Sequence, residues 1–391
     1  MQVIVKLTTG CNLKCVYCSE GNIDKEDLSI ETLYKLIDEL PILLNKYKDN
    51  NIDLLWHGGE SLIVGKKYLS EVMQYAQNKL KEYNLHFLMQ TNGTLIDDEW
   101  IELFEKFNVG LGISLDGYKD LHDKNRLTKN GQPTFNTILN NIIKLKNKGI
   151  SVGTLMVLNT KEKIDVDKLF RFIKQYDLHP KIHPVIPCGR AKTEDKKEID
   201  MIYNNYINLM SSLYEKIMED DEIIIIEPLN EIMDAILGIT SIRECSFNGS
   251  CGNKFICLYA NGDVGFCGRA ITLDNDNLIY GNLKNDDLID LYESANADKI
   301  RQRQKYLKNN DCKNCLEWDL CHGGCSFEAV NFSGNLYSKY PHCELRKKLI
   351  YFFRTKGLEL LKQHLLKQKR QCRIQIKCKQ ELLEEIKDER K

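Results

Sequence analysis

The sequence predicts an α/β fold: an open partial (β/α)6 barrel, then a small cysteine-rich α+β domain and a helical C-terminus. Strand and helix patterns alternate six times in the first half, cysteines crowd residues 245–343, and helical periodicity returns after them. Six strand–helix units are too few to close an eight-stranded barrel, so we expect an open one. We expect domain boundaries at 1–235, 236–345 and 346–391.

The six predicted strands are short apolar runs of the kind found in buried parallel sheets. They are Val3–Thr8, Asp53–His57, His86–Gln90, Val109–Leu115, Ser151–Leu158 and Lys181–Ile186. Amphipathic stretches between them predict helices at Glu31–Leu44, Lys67–Glu82, Phe135–Lys148 and Val166–Tyr176. Because active sites in this architecture gather where the strands end, we expect the site in the loops that follow them.

The second half of the sequence differs in composition and periodicity. A charged amphipathic helix is expected over Glu194–Asp221, followed by the apolar run Ile223–Ile226. Residues 245–343 lack strong periodicity, and a region of that kind usually needs a metal staple. Leu345–Lys391 is predicted to be helical. Its basic residues either attract an acidic peptide or form a solvated helix face; they include Lys347, Lys348, Lys367, Lys369 and Arg370.

Composition excludes several classes of function. The 391 residues carry a formal net charge of −1, whereas a dedicated nucleic-acid binder is usually basic. The first residues lack the apolar core of a signal peptide. No window approaches the run of about eighteen apolar residues that spans a membrane. We therefore expect a cytoplasmic protein with no nucleic-acid or membrane partner.

Fifteen cysteines are too many for an ordinary cytosolic enzyme. A disulfide scaffold is the first alternative, but the chain is long, no export signal is evident and the count is odd. The cysteines also cluster at short spacings typical of metal ligands. The pattern therefore favours metal binding, with iron–sulfur and zinc as the choices.

The amino-terminal cysteines form the run Cys11-x3-Cys15-x2-Cys18, directly after the first predicted strand. Three thiolates on a 4Fe–4S cluster leave one iron open, and an open position on a catalytic metal can bind substrate. The alternative is a zinc knuckle whose fourth ligand lies elsewhere.

This spacing, with Tyr17 just before the last cysteine, resembles the signature of the radical SAM superfamily. The resemblance implies that S-adenosylmethionine (SAM) chelates the open iron and is cleaved reductively to a 5′-deoxyadenosyl radical, which abstracts a substrate hydrogen. It also implies a set of SAM contacts near the ends of the predicted strands. These are Tyr17, Gly58, Gly59, Glu60, Gln90, Asn92, Ser114, Arg126 and Ile186.

The implied contacts have different roles. Glu60 would accept hydrogen bonds from the SAM ammonium group, and Arg126 would hold the carboxylate, which its planar fork meets bidentately. Gln90 and Asn92 would reach the methionyl group or the ribose. The remaining implied contacts are to the ribose, from Ser114, and to the adenine, from the backbone of Ile186.

Eight further cysteines form a ladder of two sets, enough for two fully ligated 4Fe–4S clusters or two structural zinc sites. The ladder resembles the SPASM domain, as found in anaerobic sulfatase-maturating enzymes and in radical SAM enzymes that modify ribosomally made peptides. The resemblance assigns auxiliary cluster one to Cys245, Cys251, Cys267 and Cys325. It assigns auxiliary cluster two to Cys312, Cys315, Cys321 and Cys343. Three 4Fe–4S clusters and SAM are therefore the expected cofactors.

One departure from the sulfatase maturases concerns the catalytic base. In that family an Asp directly follows the third ligand of auxiliary cluster one, whereas here Cys267 is followed by Gly268 and Arg269. The nearest acids along the chain are Asp263 and Asp274. General-base catalysis requires hydrogen-bond reach, so this departure argues against the maturase reaction.

We therefore expect a radical SAM oxidoreductase that acts on a peptide or protein, with crosslink formation as the expected outcome and a flavodoxin or ferredoxin as the low-potential electron donor. The alternatives are sulfatase maturation, which converts Cys or Ser to formylglycine, and a non-catalytic electron-transfer or zinc-binding protein. Four cysteines remain as free thiols, of which Cys188 follows the sixth strand on the active rim. The others are Cys257, Cys372 and Cys378.

Overall fold

The computed structural model describes residues 1–21, 24–273, 275 and 278–369. Its nine strands form one sheet in the order β6-β5-β4-β3-β2-β1-β7-β8-β9. The strands are β1 (Gln2–Lys6), β2 (Asn51–His57), β3 (Asn84–Thr91), β4 (Gly110–Ser114), β5 (Val152–Leu158), β6 (Pro180–Pro184), β7 (Phe255–Leu258), β8 (Asp263–Gly265) and β9 (Ile279–Asn282).

Strands β1 to β6 are parallel to their neighbours, and all six coincide with predicted runs to within a few residues. The first strand lies inside the sheet, where Val3 pairs with Leu54 on one side and Ile256 on the other. The side chains of Val3 and Val5 are fully buried. The order of consecutive parallel strands is that of the predicted open partial barrel.

Six helices connect these strands. They are α1 (Ile30–Tyr47), α2 (Lys66–Lys79), α3 (Asp98–Phe107), α4 (Lys119–Asn125), α5 (Phe135–Asn147) and α6 (Val166–Gln175). Side-chain caps mark several starts: Ser29, Asp97 and Asp165 each accept a hydrogen bond from a backbone N–H of the first turn. Helices α1, α2, α5 and α6 are the predicted ones, whereas α3 and α4 were not named from the sequence.

The cysteine-rich part continues the barrel sheet. Strand β7 pairs in parallel with β1, and β8 and β9 add an antiparallel hairpin beyond it. Hydrogen bonding therefore runs without a break from the part before residue 235 to the part after it. The boundaries 1–235, 236–345 and 346–391 stay predictions.

Seven further helices precede the final segment, and α7 matches the predicted charged helix. They are α7 (Lys196–Glu219), α8 (Leu229–Ile236), α9 (Cys245–Asn248), α10 (Leu288–Tyr292), α11 (Ala295–Asn309), α12 (Trp318–Cys321) and α13 (Ser326–Ser333). The apolar run Ile223–Ile226 forms no strand, although Ile182 N–H donates to Glu227 O just beyond it, at 2.9 Å.

The last segment is helical, as predicted, up to the last described residue. Helix α14 (Cys343–Phe352) leads through a π-helical turn at Phe353–Gly357 into residues 358–369. Two basic residues of this segment already pair with carboxylates, Lys347 with Glu344 and Lys367 with Asp221. Arg370, Cys372 and Cys378 lie outside the described residues, as does Asp274. In the part of the chain described, no helix is both long and apolar enough to cross a bilayer.

Candidate active site

The loops after β1 and β2 touch at the carboxyl edge of the sheet. Gly59 N–H donates to Thr8 O at 2.7 Å, and Glu60 N–H donates to Gly10 O at 2.9 Å. A Cβ atom on Gly59 would lie 2.3 Å from Gly10 O, and one on Gly58, whose φ is +149°, would lie 2.5 Å from Thr8 O. Only glycine fits this contact, which fixes the backbone that leads into Cys11.

Two other segments hold the cysteine run in place. Lys14 N–H and Val16 N–H donate to the carbonyls of Leu127 and Asn125, at the end of α4 and just after it. On the opposite side, Arg190 N–H donates to Cys18 O at 3.0 Å. The loop that carries the three thiols is therefore braced by segments that follow β4 and β6.

The three thiols of this run lie close to one another. Burial raises the pKa of Cys15 to about 11, and the neighbouring thiols of Cys11 and Cys18 add to that rise. Leu13 N–H points at the Cys11 Sγ from 3.4 Å, and the Asn92 amide lies 3.9 Å from the same sulfur. A bound cluster would remove the thiol protons, because metals take thiolates.

The carboxylate of Glu60 has three hydrogen-bond donors within the protein. It is 1% exposed, and it accepts hydrogen bonds from the Thr91 hydroxyl (2.6 Å), Asn92 N–H (2.7 Å) and Leu62 N–H (3.1 Å). Three of its roughly four acceptor positions are therefore taken. The carboxylate ties the end of β2 to the end of β3, and its expected contact to the SAM ammonium group stays a prediction.

Arg126 and Asp116 form a buried ion pair beside the cysteine run. The Arg126 Nε donates to the Asp116 carboxylate at 3.0 Å, and the Tyr17 hydroxyl donates to the same carboxylate oxygen. The other oxygen accepts from Val157 N–H at 3.0 Å. No described residue accepts a hydrogen bond from either terminal amino group of Arg126, so the outer end of the fork is unengaged. That end is the part of an arginine that meets a carboxylate.

His122 stabilises this ion pair through hydrogen bonds. Its Nδ1 accepts from Asp116 N–H at 3.1 Å, and its Nε2 lies 3.0 Å from the Thr134 hydroxyl, which donates to Arg126 O. Burial lowers the pKa of His122 to about 4, so the ring is neutral near pH 7. Sequence reasoning gave no role to Asp116 or His122. Both lie near implied SAM contacts, Asp116 close to Ser114 and His122 close to Arg126, but the sequence does not show what they contact.

The remaining implied SAM contacts separate into two places. Gln90 and Ser114 are brought together, with the Gln90 amide donating to the Ser114 hydroxyl at 3.1 Å. Ile186 packs in a small cluster with Cys188 and Cys325, and its carbonyl already accepts from Cys188 N–H at 2.7 Å. Ile186 thus lies next to the second group of cysteines, and its expected backbone contact to adenine stays a prediction.

The thiols expected for auxiliary cluster one are grouped in space. Burial and then the neighbouring thiol of Cys267 raise the pKa of Cys251. Cys325, which lies far along the chain, has its pKa raised by burial and by charges that include Cys251 and Cys267. The pKa of Cys245 is raised by burial and by charges that include the same three thiols. Cys325 therefore lies near the other thiols of the set that the resemblance implied, and that ligand set stays a prediction.

The thiols expected for auxiliary cluster two form a separate group. Burial raises the pKa of Cys312 to about 11, and the thiols of Cys315, Cys321 and Cys343 contribute to that rise. Across the described ranges, no three His, Cys, Asp or Glu side chains converge on a point that would hold one metal ion. In a 4Fe–4S cluster the thiolates bind different irons, so they surround a larger volume than the ligands of a single ion.

Comparison with known proteins agrees with this layout. The Radical SAM superfamily profile matches residues 5–173, and the profile of the SPASM iron–sulfur cluster-binding domain matches residues 245–316. A cysteine-type anaerobic sulfatase-maturating enzyme from Clostridium novyi (strain NT) is 26% identical over 332 residues, covering 83% of this chain and 87% of that enzyme. Fe-coproporphyrin III synthase from Methanosarcina barkeri is 24% identical over 383 residues, covering 90% and 89%.

Two solved structures show the same fold. Native anSMEcpe with bound AdoMet and the Kp18Cys peptide superposes with a TM-score of 0.79 at 22% identity, covering 93% of this chain and 98% of that one. Streptococcus suis SuiB bound to precursor peptide SuiA gives 0.61 at 15% identity, covering 87% and 74%. The predicted partial-barrel core with a SPASM domain is confirmed.

Proposed function

We propose that this chain, which carries a radical SAM domain and a SPASM domain, removes hydrogen from a peptide or protein and oxidises the product, with a crosslink as the expected result. One observation carries the proposal. A loop with three thiols, braced by neighbouring segments, lies beside the end of Arg126 that has no acceptor among the described residues. The cysteine-rich part carries two four-thiol groups, and no acid directly follows Cys267.

The residues around the three-thiol loop are suited to hold SAM. When bound, the cluster and SAM together supply a 5′-deoxyadenosyl radical. Arg126 would bind the SAM carboxylate through its two terminal amino groups, while Asp116 holds its Nε and fixes the plane of the fork. Gln90 and Ser114, already joined by a hydrogen bond, would present polar groups to the ribose side. Asn92 would act through the cysteine loop, since its amide lies near Cys11.

The eight thiols of the cysteine-rich part favour electron transfer. A cluster with four protein ligands has no open position for a substrate thiol, unlike a cluster with three. A reaction that oxidises its product needs a route for the electron left on the product radical. We propose that the two auxiliary clusters provide that route, with a flavodoxin or ferredoxin as the external carrier.

The structure gives a physical reason to prefer crosslink formation over the maturase reaction. A Cβ on Gly268 would face Lys6, with the Lys6 Cε 3.3 Å away. Asp263 is held in its turn by the side-chain amides of Asn261 (2.7 Å) and Asn282 (2.9 Å). Neither position presents a free carboxylate next to Cys267, which a maturase-type base would require.

The test begins with anaerobic reconstitution of the full chain. We expect about twelve irons per chain from three 4Fe–4S clusters, and 5′-deoxyadenosine when a reductant and SAM are added. Peptides encoded beside the gene are then assayed by tandem mass spectrometry. Loss of two hydrogens with fragments that stay joined identifies a crosslink, because a Ser converted to formylglycine also loses two hydrogens but fragments as a linear peptide. Zinc without iron, or no 5′-deoxyadenosine, would overturn the proposal in favour of a non-catalytic protein.

Sulfatase maturation is the second candidate, because the Clostridium novyi relative is named for it and covers most of the chain. A sulfatase-motif peptide carrying Cys or Ser decides between the two. Formation of formylglycine would overturn our preference, whereas an unchanged peptide supports it.

A further inference from the structure

Three arginines lie around the two groups of auxiliary thiols, and they differ in how their charges are satisfied. Arg303 is 3% exposed, and its guanidinium donates only to carbonyl oxygens. The acceptors are Gly323 O, Gly324 O, Leu336 O and Ser338 O. Arg303 therefore holds the turn between Cys321 and Cys325, and four of its five N–H groups have acceptors.

Arg346 is also engaged. It donates to Ser246 O at 2.5 Å, and its guanidinium lies 4.2 Å from the centre of the Phe247 ring and 3.9 Å from that of Tyr340. A further N–H points at Cys321 Sγ from 3.9 Å. Two aromatic faces, a carbonyl and one thiol of the second group thus share this charge.

Arg269 differs from both. No described residue accepts a hydrogen bond from its guanidinium, which lies 5.8 Å from the centre of the Phe327 ring. It lines a cavity together with Cys245 and Cys325. This cation therefore lies beside two of the four thiols expected for auxiliary cluster one.

We propose that Arg269 is a positioning residue that raises the reduction potential of auxiliary cluster one. This inference rests on the proposed function. A 4Fe–4S cluster with four thiolates is anionic, and its reduction adds one more negative charge. A guanidinium with free N–H groups beside it stabilises the reduced form more than the oxidised form, through charge and through hydrogen bonds to sulfur.

The placement matches what the proposed oxidation requires. As the new bond forms, the product radical loses one electron and the attacking group loses one proton to solvent. The electron passes to auxiliary cluster one and leaves through the low-potential carrier of the proposed function. Arg269 makes the first acceptor more oxidising, whereas Arg303 has only one N–H group without an acceptor among the described residues.

The test measures potentials rather than turnover. Replacing Cys11, Cys15 and Cys18 by Ala leaves the two auxiliary clusters as the only paramagnetic centres on reduction. In that background, R269Q and R269K are compared by redox titration followed by electron paramagnetic resonance. R171Q, at an exposed position of α6, is the matched control for removing one arginine charge.

We expect R269Q to lower the equilibrium constant for reduction of one cluster at least tenfold, which is about 59 mV for one electron. The other cluster should stay within about twofold, and R269K should recover most of the change because it keeps the charge. Potentials in R269Q equal to those in R171Q would overturn the proposal, as would loss of about four irons, since Arg269 would then hold the cluster. Failure of the proposed function alone appears separately, as absent 5′-deoxyadenosine from the chain that keeps Cys11, Cys15 and Cys18, with these potentials still shifted.

Discussion

Replacing Arg126 by Gln tests the proposed SAM site most directly. The side chain is 8% exposed, its Nε is held by Asp116 at 3.0 Å, and its terminal amino groups have no acceptor among the described residues. In the proposed complex those two groups donate to the SAM carboxylate. R126Q removes the charge and the fork while keeping a side chain of similar polarity.

The expected magnitude follows from the number of bonds lost. A hydrogen bond to a charged group contributes about 1.5–3 kcal/mol, because desolvation offsets part of the interaction. Loss of one such bond weakens SAM binding about 10- to 140-fold, since each 1.4 kcal/mol or so is tenfold. Loss of both bonds squares that factor at most. R126K restores the charge but not the fork, so its affinity should lie between those of R126Q and the wild type.

The assay is equilibrium dialysis of SAM against the anaerobically reconstituted holoenzyme. R126Q also leaves the Asp116 carboxylate buried without its cation, so iron content and far-UV circular dichroism are measured in parallel. The double variant D116N/R126Q removes that buried charge and should regain thermal stability without regaining SAM affinity. A SAM dissociation constant for R126Q within about threefold of the wild type, well below the loss of one charged hydrogen bond, would refute the assignment.

Three further predictions concern the loops and clusters. In G59A the new Cβ collides with Gly10 O at 2.3 Å, so we expect loss of about four irons and of SAM cleavage; G153A, with an ordinary 3.7 Å contact, should keep both. Cys325 and Cys188 pack in the same buried cluster, yet C325A should lose about four irons and C188A none, as read by iron and sulfide analysis; equal losses would contradict the ligand set. Because the pKa of His122 is lowered to about 4 in the fold, the unfolded chain takes up its proton first as the pH falls below about 6.5, and stability is lost in that direction. Between about pH 6.5 and 5 this one group should cost about 2 kcal/mol, so the melting temperature of H122N should fall less over that range than that of the wild type; parallel curves would contradict the assignment.

The strands of the barrel could be predicted because each is a short apolar run between turn residues. Helix α3 was not named, although Asp97 caps it and Trp100 and Phe104 form part of its buried face. Its five apolar positions are mixed with five charged residues, so the run is a weak signal beside the long helices. Helix α4 has only seven residues, too few for a periodic pattern to be distinguished from a loop.

The sheet connection of the cysteine-rich part could not be predicted. Strands β7 and β8 are four and three residues long, and they are stable only because β7 adds to the edge of β1. Pairing between residues about 250 positions apart depends on packing of the whole barrel, which local propensity does not encode.

The sequence by itself determined which residues are candidates for the chemistry. Thiols three and four positions apart are close along the chain, so the spacing of Cys11, Cys15 and Cys18 predicts a three-ligand site whatever surrounds it. The absence of an acid directly after Cys267 is likewise a covalent fact. Local spacing is fixed by the chain and can be read without knowing the fold.

Only the tertiary structure decided which partners these residues have. The Glu60 carboxylate accepts two hydrogen bonds from the end of β3. The outer end of the Arg126 fork has no acceptor among the described residues, because Asp116 takes only Nε. Arg269 followed a cysteine in the sequence with no evident role until its guanidinium was found without a hydrogen-bond acceptor among the described residues. Partner choice depends on contacts between distant segments, and burial makes each such contact, or its absence, energetically large.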